Sequence, residues 1–281
     1  MQNDVAVIGM DDGKKNVINH KVLDELEAAF DRTESDGAKA ILFKGREGSF
    51  CAGYDISVMT GDDPETLDGY REKLVRRKQE WARDGHLLTE GAVTNRSTDR
   101  LPPGQRLVEK WPVLDLGVQP EIPRDKWIFT VHGLVKNSVR WKWDDFVAQP
   151  QVTMTSDIHC VTGWSRYDNA WTGVHIAHLL DIWEPEPAAR HCLMYCSDGY
   201  TTNIRLDRLA DEDVLLAHTW EEEPLTKEHG GPVRVVIPRW YFWKSAKWIR
   251  RIEFLGEDEK GFWEDRGYHN EGDPWKQERY G

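Results

Sequence analysis

Tryptophan is missing from the first 80 residues of this 281-residue chain, although 14 follow from Trp81 onward. So sharp a change of composition marks a boundary, placed near Tyr70, between a segment 1–70 and a segment 71–281. Cysteine is scarce: Cys51, Cys160, Cys192 and Cys196 are too few to staple a chain of this length, which excludes a disulfide scaffold and points to reduced thiols. No run of about 18 apolar residues occurs, so no membrane-spanning helix is expected. Basic residues are also in deficit, with 37 Lys and Arg against 49 Asp and Glu, a net charge of −12. No broad basic face could offset repulsion from a polyanion, and nucleic acid is excluded as an expected partner. The opening "MQNDVAVIGMDDGKK" lacks a basic leader with a following apolar core, and it lacks a twin-arginine pair, so the expected location is cytoplasmic.

What is there divides into two patterns. In the first segment "VAVIGM" reads as a buried strand. Asn19 can cap a helix whose apolar residues Val22, Leu23, Leu26, Ala29 and Phe30 recur at helical spacing, and "AKAILFKG" supplies a second strand. The charged stretch "REKLVRRKQEWARDG" reads as a solvated helix leading into the second segment. That segment opens on the proline-rich "RLPPGQRLVEKWPVLDLG". It continues through strands such as "WIFTVHGLV", "RHCLMYCS" and "GPVRVVIP", with helical pieces "WKWDDFVAQ" and "GVHIAHLLDIW" between them. Strands and helices intermix without regular alternation, so the expected class is α+β, a mixed sheet with a small N-terminal β-α-β segment.

The turn "GSFCAGYDIS", residues 48–57, is the chemical feature of the first segment. With "DDGKKNVINHKVLDELEAAFDRTESDGAKAILFKGRE" before it, it resembles the opening of the crotonase (enoyl-CoA hydratase and isomerase) family over about 65 residues. The resemblance implies that the N–H of Ala52 is one of two oxyanion-hole donors for a thioester carbonyl. The second donor and that family's acidic residues have no counterpart further on. Cys51, with no histidine near it, reads as a small buried thiol.

In the second segment the densest signal is "SDIHCVTGWSRYDNAWTGV", residues 156–174. A cysteine followed by a Thr-Gly-Trp-Ser turn is compatible with a soft-metal thiolate, and equally with a structural thiol, on residue chemistry alone. Together with "DGYTTNIRL", "EHGGPVRVVIP" and "WKSAKWIRRIEF", the stretch resembles the molybdopterin domain of the sulfite oxidase superfamily, especially its haem-free bacterial members, from about Arg71 to Gly281. The resemblance implies a molybdenum-molybdopterin cofactor with Cys160 as the one protein ligand of the metal. It assigns Tyr200 to the active site, where a phenol could bond an oxo group or pass a proton. Asp198 is expected to orient nearby polar groups, and His159, His229 and Arg234 to contact the pterin or its phosphate. Lys244, Ser245 and Lys247 supply two cations and a hydroxyl suited to a terminal phosphate.

One departure bears on substrate. Sulfite oxidases carry Arg and His just before a Pro-Val pair, and here, ahead of Pro112 and Val113, those places hold Val108 and Lys110. Arg166 is a candidate to compensate. His191, Cys192 and Cys196 read as a core strand rather than a zinc site, because Cys192, Met194 and Cys196 share one strand face. His175 and His178 read as helix-surface residues, and Glu221, Glu222 and Glu223 as a solvated turn. The expected activity is two-electron oxygen-atom transfer at a sulfur centre of a small molecule, with a separate electron-transfer protein as partner, since no haem or flavin motif is visible. The competing expectation is an acyl-CoA-binding module attached to a degenerate molybdopterin domain.

Overall fold

The computed structural model describes residues 5–11, 16–18, 20–45, 53–54, 64–84 and 98–281. These form two compact units, Met1–Lys73 and Leu74–Gly281. In the first, β1 (Val5–Gly9) pairs in parallel with β3 (Ala40–Lys44), and β2 (Val17–Ile18) with β4 (Gly53–Tyr54), around α1 (His20–Ser35). The expected buried strand is buried on one face only. Ala6 and Ile8 are covered while Val7 is 53% exposed, because a strand in a two-stranded sheet has no second layer to cover both faces. Cys51, Ala52 and the Asn19 cap lie outside the described residues.

Helix α2 (Pro64–Asp84) corrects another expectation. Its charged composition predicts a solvated lead-in, yet Val75 and Ala82 are buried, at 2% and 0% exposure. They lie seven residues apart, two helical turns, so one face is apolar while Arg76, Arg77 and Arg83 face solvent. The residues from Leu74 onward belong to the second unit.

That unit holds two mixed sheets. In order of chain, its elements are β5 (Arg106–Leu107), β6 (Ile128–Gly133), β7 (Val139–Lys142), α3 (Trp143–Val147), β8 (Gln151–His159), β9 (Trp164–His175) and α4 (Ile176–Trp183). They continue as β10 (His191–Cys196), β11 (Thr201–Arg205), α5 (Leu206–Leu209), β12 (Leu215–Trp220), β13 (Glu223–Pro224), β14 (Arg234–Val236) and β15 (Ile249–Leu255). One sheet runs β11-β10-β15-β6-β7 and the other β13-β12-β9-β5, with β8 against β9 and β14 against β12. Parallel pairs, β15 with β6 and β5 with β9, stand among antiparallel ones. This mixed architecture is the one expected.

Strand β10 sits between β11 and β15, so both its edges are paired, and the face that carries Cys192, Met194 and Cys196 is buried. Its cysteines are therefore core residues, and burial pushes the Cys192 thiol upward. Among the described residues no group of His, Cys, Asp and Glu is arranged to hold a metal ion. The helical histidine pair is corrected: His175 ends β9 and caps α4, its ring accepting from the Ala177 N–H at 3.1 Å. His178 bonds Gln149. Among the described residues, no helix is long and apolar enough to cross a membrane.

The β8–β9 hairpin, which the sequence reading did not anticipate, is the longest strand pair and carries Cys160 at its tip. Its other edge meets β12 so closely at Gly173 that an added Cβ would lie 2.0 Å from the Leu216 carbonyl oxygen. We expect Gly173→Ala to destabilise the second unit by about 1–3 kcal/mol, since backbone must shift to admit the methyl group. Urea unfolding monitored by tryptophan fluorescence measures this.

Candidate functional site

Cys160 opens a tight turn between β8 and β9. Gly163 N–H donates to the Cys160 carbonyl at 3.0 Å and Cys160 N–H to the Trp164 carbonyl at 2.8 Å. Gly163 takes φ +93°, a conformation open to glycine and strained for other residues, which explains the "CVTG" pattern. The thiol is buried and lies 3.2 Å from Thr162 Oγ1. Burial pushes its pKa up, while the Thr162 bonds and the charges of Arg279 and Lys78 oppose that rise.

Behind the turn runs a chain of polar contacts. His159 Nδ1 lies 2.8 Å from Ser165 Oγ, Ser165 donates to Gln105 Oε1 at 3.3 Å, and Gln105 Nε2 donates to the Cys160 carbonyl at 3.1 Å. With the serine hydroxyl donating onward, the Nδ1–H tautomer of His159 completes the chain. His159 thus acts on the Cys160 turn from behind and is absent from the cavity wall.

In front of Cys160 lies a cleft open to solvent. Its walls come from Lys78 of α2, the stretch from Trp111 to Leu116, the Cys160 turn, the β10–β11 turn with Asp198 and Tyr200, the segments from His229 to Trp248, and the residues Trp263 and Tyr268. The β10–β11 turn is fixed by Gly199 at φ +82° and by Asp198 Oδ1, which accepts from Tyr200 N–H at 3.0 Å. Asp198 orients backbone here through that bond. Tyr200 reaches the cleft, but its hydroxyl donates to the Trp243 carbonyl at 2.7 Å and is already partnered.

Arg234 is the least ordinary group in the wall. It is 2% exposed and among the described residues has no carboxylate partner; it donates to the carbonyls of His229, Ser245 and Val235 and lies over the rings of Phe242 and Trp111. Burial lowers its pKa to about 9. Lys247 donates to the Glu228 carbonyl at 2.9 Å, and burial with the nearby Arg234 charge lowers it to about 7. Lys78, from α2, is lowered to about 8, chiefly by burial. A wall with three desolvated cations is an anion site in waiting. His229 stacks on Trp111 at 3.8 Å between ring centroids, and burial beside Arg234 lowers it to about 4.

The structure therefore brings Cys160, Asp198, Tyr200, His229, Arg234, Ser245 and Lys247 to one cleft. It leaves His159 behind the turn and Lys244 in the core. The Lys244 ammonium is 2.6 Å from Glu264 and donates to Asn203, with both members of the pair at 1% exposure or less. The mixed cation and hydroxyl cluster at 244–247 is split where the 3-10 turn Phe242–Lys244 ends at Ser245, leaving Lys244 directed to Glu264 and Lys247 to the cleft. Arg166 does not fill the vacant sulfite position: it is tied to the Glu109 carbonyl, Asn169 and Glu221, away from the cleft. Val108 is buried and Lys110 is exposed, and neither lines the cleft. Sequence reasoning missed Lys78, Trp111, Asp115 and Tyr268, for which the only signal was that aromatic residues cluster in the second segment.

The Lys244 and Glu264 pair yields one expectation. Lys244→Met leaves a buried carboxylate uncompensated and should cost about 3–5 kcal/mol, and adding Glu264→Gln should recover much of it. Denaturant unfolding measures both; a phosphate-holding role alone would leave stability unchanged. A second expectation concerns pH. His229 has a folded pKa of about 4, as does His159, below the ordinary 6.5. Their contribution is full above pH 6.5 and is lost as pH falls toward 4, at up to about 1.4 kcal/mol per pH unit per ring. His229→Phe keeps the stack on Trp111 and should flatten the decline in urea midpoint between pH 6.5 and 5.

Comparison with known proteins identifies the family of the chain. The family model described as oxidoreductase molybdopterin binding domain matches residues 116–263, more than half of the chain, and that of enoyl-CoA hydratase/isomerase matches residues 1–86. The oxidoreductase YuiH of Bacillus subtilis (strain 168) is 43% identical over 182 residues, 64% of this chain and 92% of YuiH. The protein-methionine-sulfoxide reductase catalytic subunit MsrP of Ralstonia nicotianae is 30% identical over 153 residues, 49% of this chain and 46% of MsrP. Sulfite oxidase of Arabidopsis thaliana is 26% identical over 174 residues, 50% of this chain and 44% of that enzyme. The chain spans nearly all of YuiH and less than half the length of the other two. It belongs to the oxidoreductase molybdopterin binding domain family, and its cofactor is molybdenum-molybdopterin.

Proposed function

We propose that the chain catalyses two-electron oxygen-atom transfer at sulfur, in the direction of sulfoxide reduction. The observation that carries this reading is the cleft in front of Cys160, where a soft thiolate donor, desolvated cations and aromatic walls converge. The residues fit the cofactor. Cys160 is the one thiol on the wall, suited to a sulfur-rich metal site. Arg234, Lys247 and Ser245 would hold the anionic end of the pterin, since a buried guanidinium without a carboxylate leaves its charge to be matched by a ligand. Bound there, the cofactor supplies the two-electron couple for oxygen-atom transfer.

The chain's own groups do the rest. Trp111, Trp243, Trp263 and Tyr268 exclude water and offer flat apolar surfaces to an organic substituent. The chain of His159, Ser165 and Gln105 fixes the carbonyl of Cys160, and Thr162 bonds its sulfur. Reduction of R₂S=O by two electrons and two protons gives R₂S and water, with the electrons delivered by a separate redox protein. Sulfite is disfavoured because the arginine place ahead of Pro112 holds Val108, Arg166 is engaged elsewhere, and Asp115 and Asp198 line the cleft. MsrP, named for protein methionine sulfoxide, is in keeping with this choice.

A degenerate molybdopterin domain is opposed by the convergence of Cys160, Arg234 and Lys247 on one cleft. The test is the metal and pterin content of the purified full chain, then assays of methionine sulfoxide and of sulfite with artificial electron carriers. Sulfoxide reduction is expected, lost in Cys160→Ser with the pterin retained. Protein isolated with neither molybdenum nor pterin, or one that only oxidises sulfite, overturns the reading.

A further inference from the structure

Lys78 lies outside every motif that marks the molybdopterin domain, ahead of the matched residues 116–263. It nevertheless lines the cleft. Its side chain is largely withdrawn from water, and no hydrogen bond or ion pair to its ammonium is present among the described residues; it has only the longer-range attraction of Asp115, Cys160 and Asp198. The other two cations differ. Arg234 is spent on three backbone carbonyls and Lys247 on a fourth.

The position of Lys78 is fixed by a C-terminal strap. Tyr268, itself in the cleft wall, donates from its hydroxyl to the Lys78 carbonyl at 3.5 Å. Tyr280 donates to the Gln79 carbonyl at 2.6 Å, and Gln79 Nε2 to the Arg266 carbonyl at 3.0 Å. Arg279 joins this helix to the thiol loop directly: one guanidinium nitrogen donates both to the Ala82 carbonyl and to the carbonyl of Val161, the residue after Cys160. The helical turn that carries Lys78 is thereby held against the turn that carries Cys160.

We propose that Lys78 is the substrate-contacting cation of this cleft, its ammonium donating to the sulfinyl oxygen of an organic sulfoxide at the Cys160 end. The inference rests on the sulfoxide reading above and names the group that recognises the oxygen. A sulfoxide oxygen is a strong acceptor without net charge, so one desolvated ammonium suffices to hold it. A dianion would meet Asp115 and Asp198 in the same wall, where Arg234 and Lys247 are already assigned to the anionic end of the pterin. The aromatic rings of Tyr268, Trp263 and Trp111 then take the substituents on sulfur. No motif could have assigned this role, because the residue comes from a helix whose composition reads as surface.

The test uses the loaded full-length enzyme and two variants, Lys78→Met and Lys78→Arg. Molybdenum and pterin contents are measured first. KM and kcat for methyl phenyl sulfoxide follow, with an artificial reductant, and then calorimetric binding of methyl phenyl sulfone, which carries the same acceptor. We expect Lys78→Met to keep wild-type molybdenum and pterin while KM and the sulfone Kd rise by about 10- to 100-fold, the loss of one hydrogen bond to a charged donor. Lys78→Arg should recover part of both. Unchanged KM and sulfone Kd in Lys78→Met overturn the inference while leaving sulfoxide reduction intact. Loss of pterin with an unaltered KM in the remaining loaded fraction also overturns it, and makes Lys78 a cofactor-holding residue. Wild-type enzyme that neither turns over the sulfoxide nor binds the sulfone overturns both this inference and the reading on which it rests.

Discussion

A guanidinium buried without a carboxylate is the constraint around which the second unit is organised. Taking such a group from water costs several kcal/mol unless its donors are met. Here they are met by carbonyls of His229, Val235 and Ser245, which fixes the paths of the segments on either side of β14. Those segments bring His229 onto Trp111 and Lys247 onto Trp248. Among the described residues no carboxylate matches the charge, which lines the cleft. Stability and the proposed binding meet in one residue: the fold satisfies its hydrogen bonds, and the proposed ligand would match its charge.

The thiol on the opposite wall is held by different means. Cys160 sits at the tip of the β8–β9 hairpin, whose long ladder makes its position a property of the sheet rather than of a loop. Polar contacts reach the turn from behind through Gln105 and from the side through Arg279. The metal-ligand role proposed for Cys160 would gain from such backing, because small displacements of a ligand carry large consequences for metal affinity and reactivity. The strap from Tyr268 to Tyr280 belongs to this backing, tying α2 and the Cys160 turn into one wall.

Legibility differed from residue to residue for physical reasons. Cys160, Arg234 and Lys247 could be named because short motifs with fixed turns surround them, and Gly163 and Gly199 mark those turns by the backbone they permit. Lys244 could not be told from Lys247 in "WKSAKW", since a local pattern does not say which of two nearby cations points inward to Glu264 and which toward a ligand. His159 was legible as a site residue but not as one acting through Ser165. The β8–β9 hairpin escaped notice because its polar residues, such as Asn169 and Ser165, are buried and satisfied by tertiary bonds, which breaks the alternation that marks a strand.

By itself the sequence determined the mixed architecture of the second segment and, through the resemblance its motifs carry, the family and its cofactor, because those motifs are residue types at short, fixed spacing. Only the tertiary structure decided which charged groups are spent within the protein and which remain for a ligand. Arg166 and Lys244 are satisfied by Glu221 and Glu264, while Lys78 reaches the cleft from a helix that composition assigns to solvent. The reason is that partnership between charges depends on distance through space, and the partners of these residues lie tens to nearly two hundred positions away along the chain.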